Sequence, residues 1–217
     1  MKRRRQASSE LGDFGSGKSL GGQVSNYRDN EKIYSQGARA PTLFYIQGGG
    51  VRLSIQSEHR GVAVTAILGV HEFFGEQCLV GYPLRLSTAV TLTASSIRTI
   101  KKEKMLEFLR TRKKASNFLL SYLLSSVKNH RDQVADLLTF SAEQRLASVL
   151  LRLSHLDGKG PATREIPILT HQVLSEMVGT TRSRINVLMN RFRREGYIKY
   201  EGGLEVHSSL KKILRKR

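Results

Sequence analysis

The sequence predicts an α+β protein with a β-rich N-terminal half, a long central helix and a small helical C-terminal domain that ends in a hairpin. Short β-rich runs separated by glycines occupy residues 27–101. Apolar residues then recur at helical spacing, and two short helical segments join at Gly179 ahead of two strand-like runs. Because short strands at such regular spacing are typical of barrels and jelly rolls, we expect an all-β barrel or a jelly roll in residues 27–101.

Composition narrows the class of partner. The chain has 36 Lys and Arg against 18 Asp and Glu, a formal net charge of +18, which favours a polyanion, either nucleic acid or an anionic membrane surface. No apolar run is long enough to span a bilayer, and no apolar stretch follows the basic start, so we expect neither a membrane segment nor a secretory signal. A single cysteine, Cys78, cannot form an internal disulfide or a cysteine metal cage. We therefore expect no metal site and a cytoplasmic location.

The first 26 residues are rich in glycine, serine and charge, and we expect a disordered basic tail there. Within it, Gly12–Ser19 (GDFGSGKS) matches the phosphate-loop pattern of NTPases. That loop works only between a buried strand and a helix, because its backbone N–H groups must converge on phosphate, and the flanking residues predict neither element. Since the sequence offers no other catalytic arrangement, we expect a protein that is not an enzyme and keep a phosphate-loop NTPase as an alternative.

Two helices are predicted in the connecting region 102–140, over Lys101–Arg112 and Ala115–Thr139. On the second helix, residues recur at spacings of three and four in the seam pattern of a coiled coil. The members of this seam are Leu120, Leu124, Val127, Arg131, Val134 and Leu138. The pattern leaves two interpretations open, a dimer-forming coiled coil or a helix packed on its own domain.

The C-terminal domain, residues 141–217, opens with a capping-box pattern. The side chains of Ser141 and Gln144 can each satisfy a backbone N–H of the other residue, which predicts the start of a helix. Near the end of the domain, Ile198–Tyr200 and Leu204–Val206 flank glycines that can adopt positive φ, which predicts a hairpin.

The strongest functional signal lies between Thr170 and Tyr197. Thr170 can cap one helix, Gly179 permits a tight turn, and Thr180 or Thr181 can cap a second helix. The apolar face of the second helix consists of Ile185, Leu188, Met189 and Phe192. Two short helices joined at a glycine, the second polar and basic at its start, are the helix-turn-helix layout that carries side chains to DNA bases. The alternative is an ordinary helix with a solvated charged face.

The candidate DNA-binding residues are Thr170, Gln172, Thr181, Arg182, Ser183, Arg184 and Asn186. Arg182 can donate two parallel hydrogen bonds to a guanine, whereas Thr170 and Gln172 can contact phosphate. General, salt-sensitive attraction is the role that we assign to Arg191, Arg193, Arg194 and the basic segment Lys211–Arg217.

The order of these segments resembles the Crp/Fnr superfamily of bacterial transcription regulators. The resemblance rests on Phe73–Glu76 (FFGE) and on EMVGTTRSRINVLMNRFRREGYI at residues 176–198, and covers about residues 27–210. It implies a cyclic-nucleotide-binding-type jelly roll, a dimerisation helix and a winged helix-turn-helix that binds near-palindromic operators as a homodimer, gated by a small-molecule effector. The implied partners are double-stranded DNA, a second copy of the chain, RNA polymerase and the effector. The alternative is an effector-independent DNA- or RNA-binding protein.

The resemblance also marks an effector pocket of Gly75, Glu76, Arg85, Ser87, Thr88, His130 and Arg131. Gly75-Glu76 matches the pair that holds the ribose hydroxyl in cyclic-AMP receptors. Aligned through Thr88, the Arg-Ser pair that grips the cyclic phosphate falls on Leu86-Ser87. Arg85 then comes one residue early, and an extended strand would turn it to the opposite face, although a bulge could re-aim it.

The pair that contacts adenine in the same receptors falls on His130-Arg131. We therefore expect weak or absent cyclic-AMP binding and no certain cofactor. In the second helix of the helix-turn-helix, Arg182 keeps the family's arginine, Ser183 replaces an acidic residue and Val187 replaces a later arginine. The operator is therefore expected to differ from that of the cyclic-AMP receptor.

Overall fold

The computed structural model describes residues 20–57, 61–154, 163–166, 169–201 and 203–215, with the backbone alone for 163–166. The phosphate-loop pattern Gly12–Ser19 and most of the predicted tail lie outside the described residues. The chain divides into two compact units. The first runs to Leu53 and continues over Leu68–His130, and the second comprises Ser54–Ile67 and Arg131–Arg217.

Two four-stranded sheets form the N-terminal half, as the predicted jelly roll requires. The strands are β1 (Gln23–Tyr27), β2 (Lys32–Tyr34), β3 (Thr42–Gly48), β4 (Val51–Ser57), β5 (Gly61–Leu68), β6 (Phe73–Phe74), β7 (Thr88–Thr91) and β8 (Ser95–Lys101). One sheet has the order β1-β8-β3-β6 and the other the order β2-β7-β4-β5. Strand β8 pairs antiparallel with both β1 and β3. The prediction of an α+β fold with an N-terminal jelly roll is confirmed.

The apolar residues of β3 do not alternate with polar ones, and the packing of the strand explains why. Phe44 and Ile46 belong to one buried cluster together with Phe74. Leu43 and Tyr45 belong to a second cluster, which includes residues of the following helices. Because successive side chains of a strand point to opposite faces, β3 is buried on both faces.

Strand β1 begins inside the segment predicted to be a disordered tail. Residues Gln23–Tyr27 pair with residues 95–99 of β8, and Leu20, just before β1, is 2% exposed. This finding corrects the predicted boundary at residue 26. Polar side chains such as Gln23 and Asn26 give a weak strand signal, and pairing with β8 decides the conformation.

Helices α1 (Lys102–Thr111) and α2 (Lys113–Thr139) follow directly, separated by Arg112 alone. Both predicted helices are confirmed. The first half of α2 packs on the jelly roll through Ala115, Phe118, Leu119, Tyr122 and Leu123. The Tyr122 hydroxyl also donates to the Phe73 carbonyl at 2.9 Å and accepts from its N–H at 3.1 Å.

The second unit contains the C-terminal helices and a small sheet. Its elements after α2 are α3 (Ala142–Leu153), β9 (Thr163–Ile166), α4 (His171–Val178), α5 (Arg182–Arg194), β10 (Ile198–Tyr200), β11 (Leu204–His207) and a 3₁₀ helix (Ser208–Arg215). The predicted capping box is present, since the Ser141 hydroxyl accepts from Gln144 N at 3.3 Å and Gln144 Oε1 accepts from Ser141 N at 3.0 Å. The predicted hairpin β10–β11 is also confirmed, and β9, which was not predicted, pairs with β11.

Candidate nucleic-acid interface

Helix α4 and the turn after it are shaped by two local devices. The Thr170 hydroxyl accepts a hydrogen bond from Val173 N at 3.2 Å, which caps the start of α4. The helix ends at Gly179, which adopts the left-handed conformation (φ 68°, ψ 50°) and donates its N–H to the Ser175 carbonyl. A side chain at this position would strain the backbone, so glycine is favoured here.

Helix α5 presents one apolar and one polar face. Of the two candidate caps, the structure uses Thr181, whose hydroxyl accepts from Arg184 N at 3.2 Å. The buried residues are the predicted ones, Ile185, Leu188, Met189 and Phe192, each at most 2% exposed. The exposed residues near the start of α5 are Arg182, Ser183, Arg184 and Asn186. A helix anchored by four apolar side chains therefore projects polar and basic groups from its first two turns.

The predicted contacts on α4 are partly engaged within the chain. The Gln172 side chain is exposed and donates to Glu176 Oε1 at 2.9 Å, one turn along the same helix. The Thr170 hydroxyl serves as cap acceptor but keeps its own proton for donation. Both residues therefore lie at the surface near the start of α4, where the helix N-terminus favours phosphate.

Two further residues on α5 were not predicted as contacts. Val187 is 57% exposed, beside the polar residues at the start of the helix. An exposed apolar side chain there can contact the methyl group of thymine. Asn190 lies one turn after Asn186, and its amide donates to Asn186 Oδ1 at 3.4 Å. The signal for both was helical spacing, since Val187 lies four residues after Ser183 and Asn190 lies four residues after Asn186.

Arg191, which was assigned a general attraction for DNA, forms ion pairs within the chain. Its Nη1 donates to Glu143 Oε2 at 3.0 Å and its Nε donates to Glu195 Oε1 at 2.7 Å. The guanidinium thus contacts the carboxylates of Glu143 on α3 and of Glu195, the residue that follows α5. Glu143 is distant in sequence, and the contact with Glu195 depends on the rotamers of both side chains. Composition alone could therefore not distinguish Arg191 from Arg193 and Arg194, which are exposed.

The predicted seam of α2 lies on the face that the chain's own core leaves open. Its apolar residues are all exposed, namely Leu120, Leu124, Val127, Val134 and Leu138, the last at 80%. Arg131, which falls on the same seam, is exposed as well. The sequence left open whether this helix forms a coiled-coil dimer or packs on its own domain. The packing within each unit does not cover this apolar stripe.

In the jelly roll, Arg85 is buried and turned inward. The side chain is 5% exposed. Its Nη1 donates to the carbonyls of Thr42 at 2.7 Å and Gly75 at 3.4 Å, and Nη2 donates to the Thr42 hydroxyl at 2.9 Å. The guanidinium also lies 4.4 Å from the Tyr34 ring centre and 5.0 Å from that of Phe44. Its Nε meets no acceptor within the described part of the chain.

The structure places Leu86, which the alignment puts at the family's arginine position, at the surface. Leu86 is 46% exposed, and Arg85 is the residue that reaches Gly75. The expectation that Arg85 would face away assumed an extended strand. Residues 86 and 87 instead form a bend, and β7 begins only at Thr88. A bend breaks the alternation of faces, so the one-residue shift does not turn the side chain outward.

The other predicted pocket residues are placed as follows. The pKa of Glu76 is raised by burial, against opposing contributions from its own backbone N–H, from His130 and from the positive charge of Arg85. Ser87 is half-buried, and the Thr88 hydroxyl accepts from Gln36 N at 3.0 Å. His130 and Arg131 are exposed on α2.

The donor set around Arg85 is partly engaged within the chain. Bidentate binding of a phosphate by arginine uses two parallel N–H groups. Both Nη atoms of Arg85 donate to Thr42 and Gly75. Three of the five N–H groups of Arg85 are therefore engaged, which leaves the Nε–H and one N–H of Nη2 for a ligand.

Among the described residues, none of the helices combines the length and hydrophobicity that crossing a lipid bilayer demands. The same residues contain no group of three or more His, Cys, Asp or Glu side chains suited to a metal ion.

Comparison with known proteins supports the two-part organisation. Residues 24–112 match the family described as the cyclic nucleotide-binding domain, and residues 144–209 match the Crp-like helix-turn-helix domain. The regulatory protein CysR of Synechococcus elongatus is 31% identical over 168 residues, which cover 73% of this chain and 72% of that protein. The CRP-like cAMP-activated global transcriptional regulator of Mycobacterium tuberculosis is 24% identical over 196 residues, covering 89% of this chain and 88% of that protein.

The fold has a close counterpart among solved structures. FixK2 from Bradyrhizobium japonicum superposes with a TM-score of 0.77 at 17% identity, over 89% of this chain and 96% of that chain. The two matched domains and the likeness to CysR together identify the family. The chain belongs to the Crp/Fnr superfamily of bacterial transcription regulators, with a cyclic-nucleotide-binding-type domain followed by a helix-turn-helix domain.

Proposed function

We propose that the chain recognises a near-palindromic DNA operator as a homodimer, with α5 in the major groove, and acts without catalysing a reaction. The observation that carries the proposal is the division of α5 into two faces. Ile185, Leu188, Met189 and Phe192 fix the helix to its domain, while its first two turns remain at the surface. A rigid helix with an exposed polar start is what base reading requires.

Arg182 is the residue with the most specific chemistry on this surface. It follows the cap residue Thr181 and is exposed. A guanidinium can donate two hydrogen bonds to O6 and N7 of guanine, worth about 1–3 kcal/mol of discrimination. Ser183 and Asn186 add shorter polar side chains, and Val187 adds an apolar one. These residues support specificity, and Thr170, Gln172 and Arg184 support contacts with phosphate.

The exposed seam of α2 supports the homodimer. Its five apolar side chains recur over Leu120–Leu138 at the spacing of a two-stranded coiled coil. Burying a leucine or valine completely contributes about 1.5–3 kcal/mol, so a second copy of the same helix would gain substantially from pairing. A dimer would also supply two copies of α5, which a palindromic operator requires.

We also propose that DNA binding does not depend on cyclic AMP. The support is the arrangement of Arg85, whose Nη atoms are held by Thr42 and Gly75 and whose flat face covers Tyr34. A cyclic phosphate that used these N–H groups would compete with their present partners, and this competition would weaken its binding.

Selection of bound sequences from a random DNA pool, with and without cyclic nucleotides, tests both proposals. We expect enrichment of one near-palindromic sequence, at equal strength in the two conditions. Enrichment that requires cyclic AMP would contradict the second proposal alone. No enrichment over bulk DNA at matched salt, or preferential capture of RNA, would contradict the first, because phosphate attraction by itself gives no sequence preference.

A further inference from the structure

We infer that Arg145 is a positioning residue, which sets the direction of α5 by holding the turn in front of α5 to the end of α2. The inference rests on the proposed function, because it concerns the geometry in which α5 meets DNA. Arg145 itself lies in the first turn of α3 and was not among the candidate DNA-binding residues.

The Arg145 guanidinium reaches three backbone carbonyls. Its Nε donates to Val178 O at 2.8 Å and its Nη2 donates to Gly179 O at 3.4 Å, both at the end of α4. Its Nη1 donates to Phe140 O at 2.9 Å, directly after α2. One side chain therefore connects the ends of two helices that are far apart in sequence.

The location of this cation is unfavourable for α3 and favourable for its neighbours. A positive charge in the first turn of a helix opposes the helix macrodipole. The C-terminal ends of α2 and α4, by contrast, carry the negative ends of their dipoles and leave carbonyls without partners inside the helix. Arg145 satisfies carbonyls of this kind at both ends, so its role lies between elements rather than within α3.

The carbonyls held by Arg145 control where α5 begins. Val178 and Gly179 are followed by Thr180 and by Thr181, which caps α5. Gly179 has a left-handed conformation, so the chain reverses direction here over very few residues. A shift of the turn would therefore move the exposed start of α5, including Arg182.

A second contact from the same turn of α3 reaches the far half of α5. Glu143 Oε2 accepts from Arg191 Nη1 at 3.0 Å. Arg145 holds the turn ahead of α5, and Glu143 holds its last turns through Arg191. The first turn of α3 thus constrains α5 at both ends, which fixes its direction as well as its position.

Arginine is suited to this task and lysine is not. The guanidinium is planar, with N–H groups at fixed angles that can serve three separate acceptors. An ammonium group is a compact point charge on a flexible stem, and it cannot span carbonyls that belong to two different helix ends. Arg145→Lys should therefore keep the charge and lose the positioning.

The test compares Arg145→Met and Arg145→Lys with Arg152→Met. Arg152 lies on the same helix and forms an ion pair with Asp136 at 2.6 Å, so its replacement removes a comparable contact away from the turn. Affinity is measured for the operator selected from the random pool and for a scrambled duplex of the same length at the same salt. Circular dichroism confirms folding.

We expect both Arg145 variants to lower the ratio of operator to scrambled affinity by about tenfold or more, which corresponds to about 1.4 kcal/mol. Affinity for the scrambled duplex should change little, since the net positive charge is largely retained. Arg152→Met should leave the ratio unchanged even if it lowers thermal stability. An unchanged ratio in a folded Arg145 variant would overturn the inference.

Hydrogen exchange provides a readout that does not need DNA. In Arg145→Lys, amides of Thr180–Ile185 should exchange faster, while those within α3 should keep their protection. Equal protection of Thr180–Ile185 in wild type and variant would also overturn the inference. If wild type shows no sequence preference at all, the proposed function fails, and the exchange measurement still decides the role of Arg145.

Discussion

Asp136, near the end of α2, and Arg152, on α3, form an ion pair with 2.6 Å between Oδ2 and Nη1. The Ser148 hydroxyl donates to the same carboxylate oxygen at 2.6 Å. These bonds fix the last turns of α2 to the first helix of the DNA-binding domain. The exposed seam residues Val134 and Leu138 therefore belong to an element that is bound directly to the helix-turn-helix domain.

Replacing Leu124 on the seam by lysine should dissociate the dimer. The change removes an apolar side chain from each copy and places two ammonium groups in the proposed interface. Loss of both leucines alone should raise the dimer dissociation constant about hundredfold, at roughly 1.5 kcal/mol each. Sedimentation analysis measures the effect. Ser121→Lys, exposed on α2 but off the seam, is the matched control, and equal behaviour of the two variants would exclude the seam as the interface.

Arg182→Ala should relax sequence preference at one base pair of each half-site, by about 1–3 kcal/mol. Lys212→Ala, in the exposed basic segment, should weaken binding to all DNA nearly equally, because it removes only a phosphate contact. Affinities for a set of single-base operator variants at constant salt distinguish the two. Uniform losses on every sequence for both variants would contradict the assignment of α5 as the reading helix.

Gly179→Ala should destabilise the C-terminal domain by about 1 kcal/mol through its positive φ. The added Cβ would lie 3.8 Å from Leu137 Cδ2, an ordinary contact, so the cost should come from the backbone alone. Chemical denaturation measures it. Gly179→Asn should cost less, since asparagine tolerates the left-handed region, and Gly48→Ala, at a glycine without positive φ, is a second control. Equal costs for alanine and asparagine would contradict this explanation.

Glu76→Gln should raise the free energy of unfolding at neutral pH and have little effect in acid. Burial raises the pKa of Glu76 above its ordinary value of 4.5, so the folded protein binds this proton more tightly than the unfolded chain. Stability therefore falls as pH rises from 4.5 through the raised pKa, and the cost is fully present above it. Denaturation at several pH values with Glu103→Gln, an exposed control, measures this. A gain that is independent of pH would contradict it.

Calorimetric titration with cyclic AMP should show no binding at micromolar concentrations. The reason is the engagement of both Nη atoms of Arg85 by Thr42 and Gly75. Micromolar affinity that is abolished by Arg85→Ala, and kept in Leu86→Ala, would show that Arg85 exchanges its internal partners for the ligand. The expectation of weak binding would then be wrong.

The local sequence determined those features of this protein that depend on residues close together in the chain. The capping box of Ser141 and Gln144, the left-handed turn at Gly179 and the four buried positions of α5 follow from rules that act over three or four residues. Because base reading needs only a short amphipathic helix with a defined start, the candidate DNA interface was predictable from these rules together with the family resemblance.

Tertiary structure decided the features that depend on partners distant in the chain. The bend at residues 86–87 turns Arg85 inward, and pairing with β8 makes β1 a strand. Glu143 forms an ion pair with Arg191. A side chain's charge is visible in the sequence, but its direction and its acceptor depend on which backbone packs beside it. Arg145 shows this most clearly, since the sequence gives a cation at a helix start and only the fold brings three carbonyls to it.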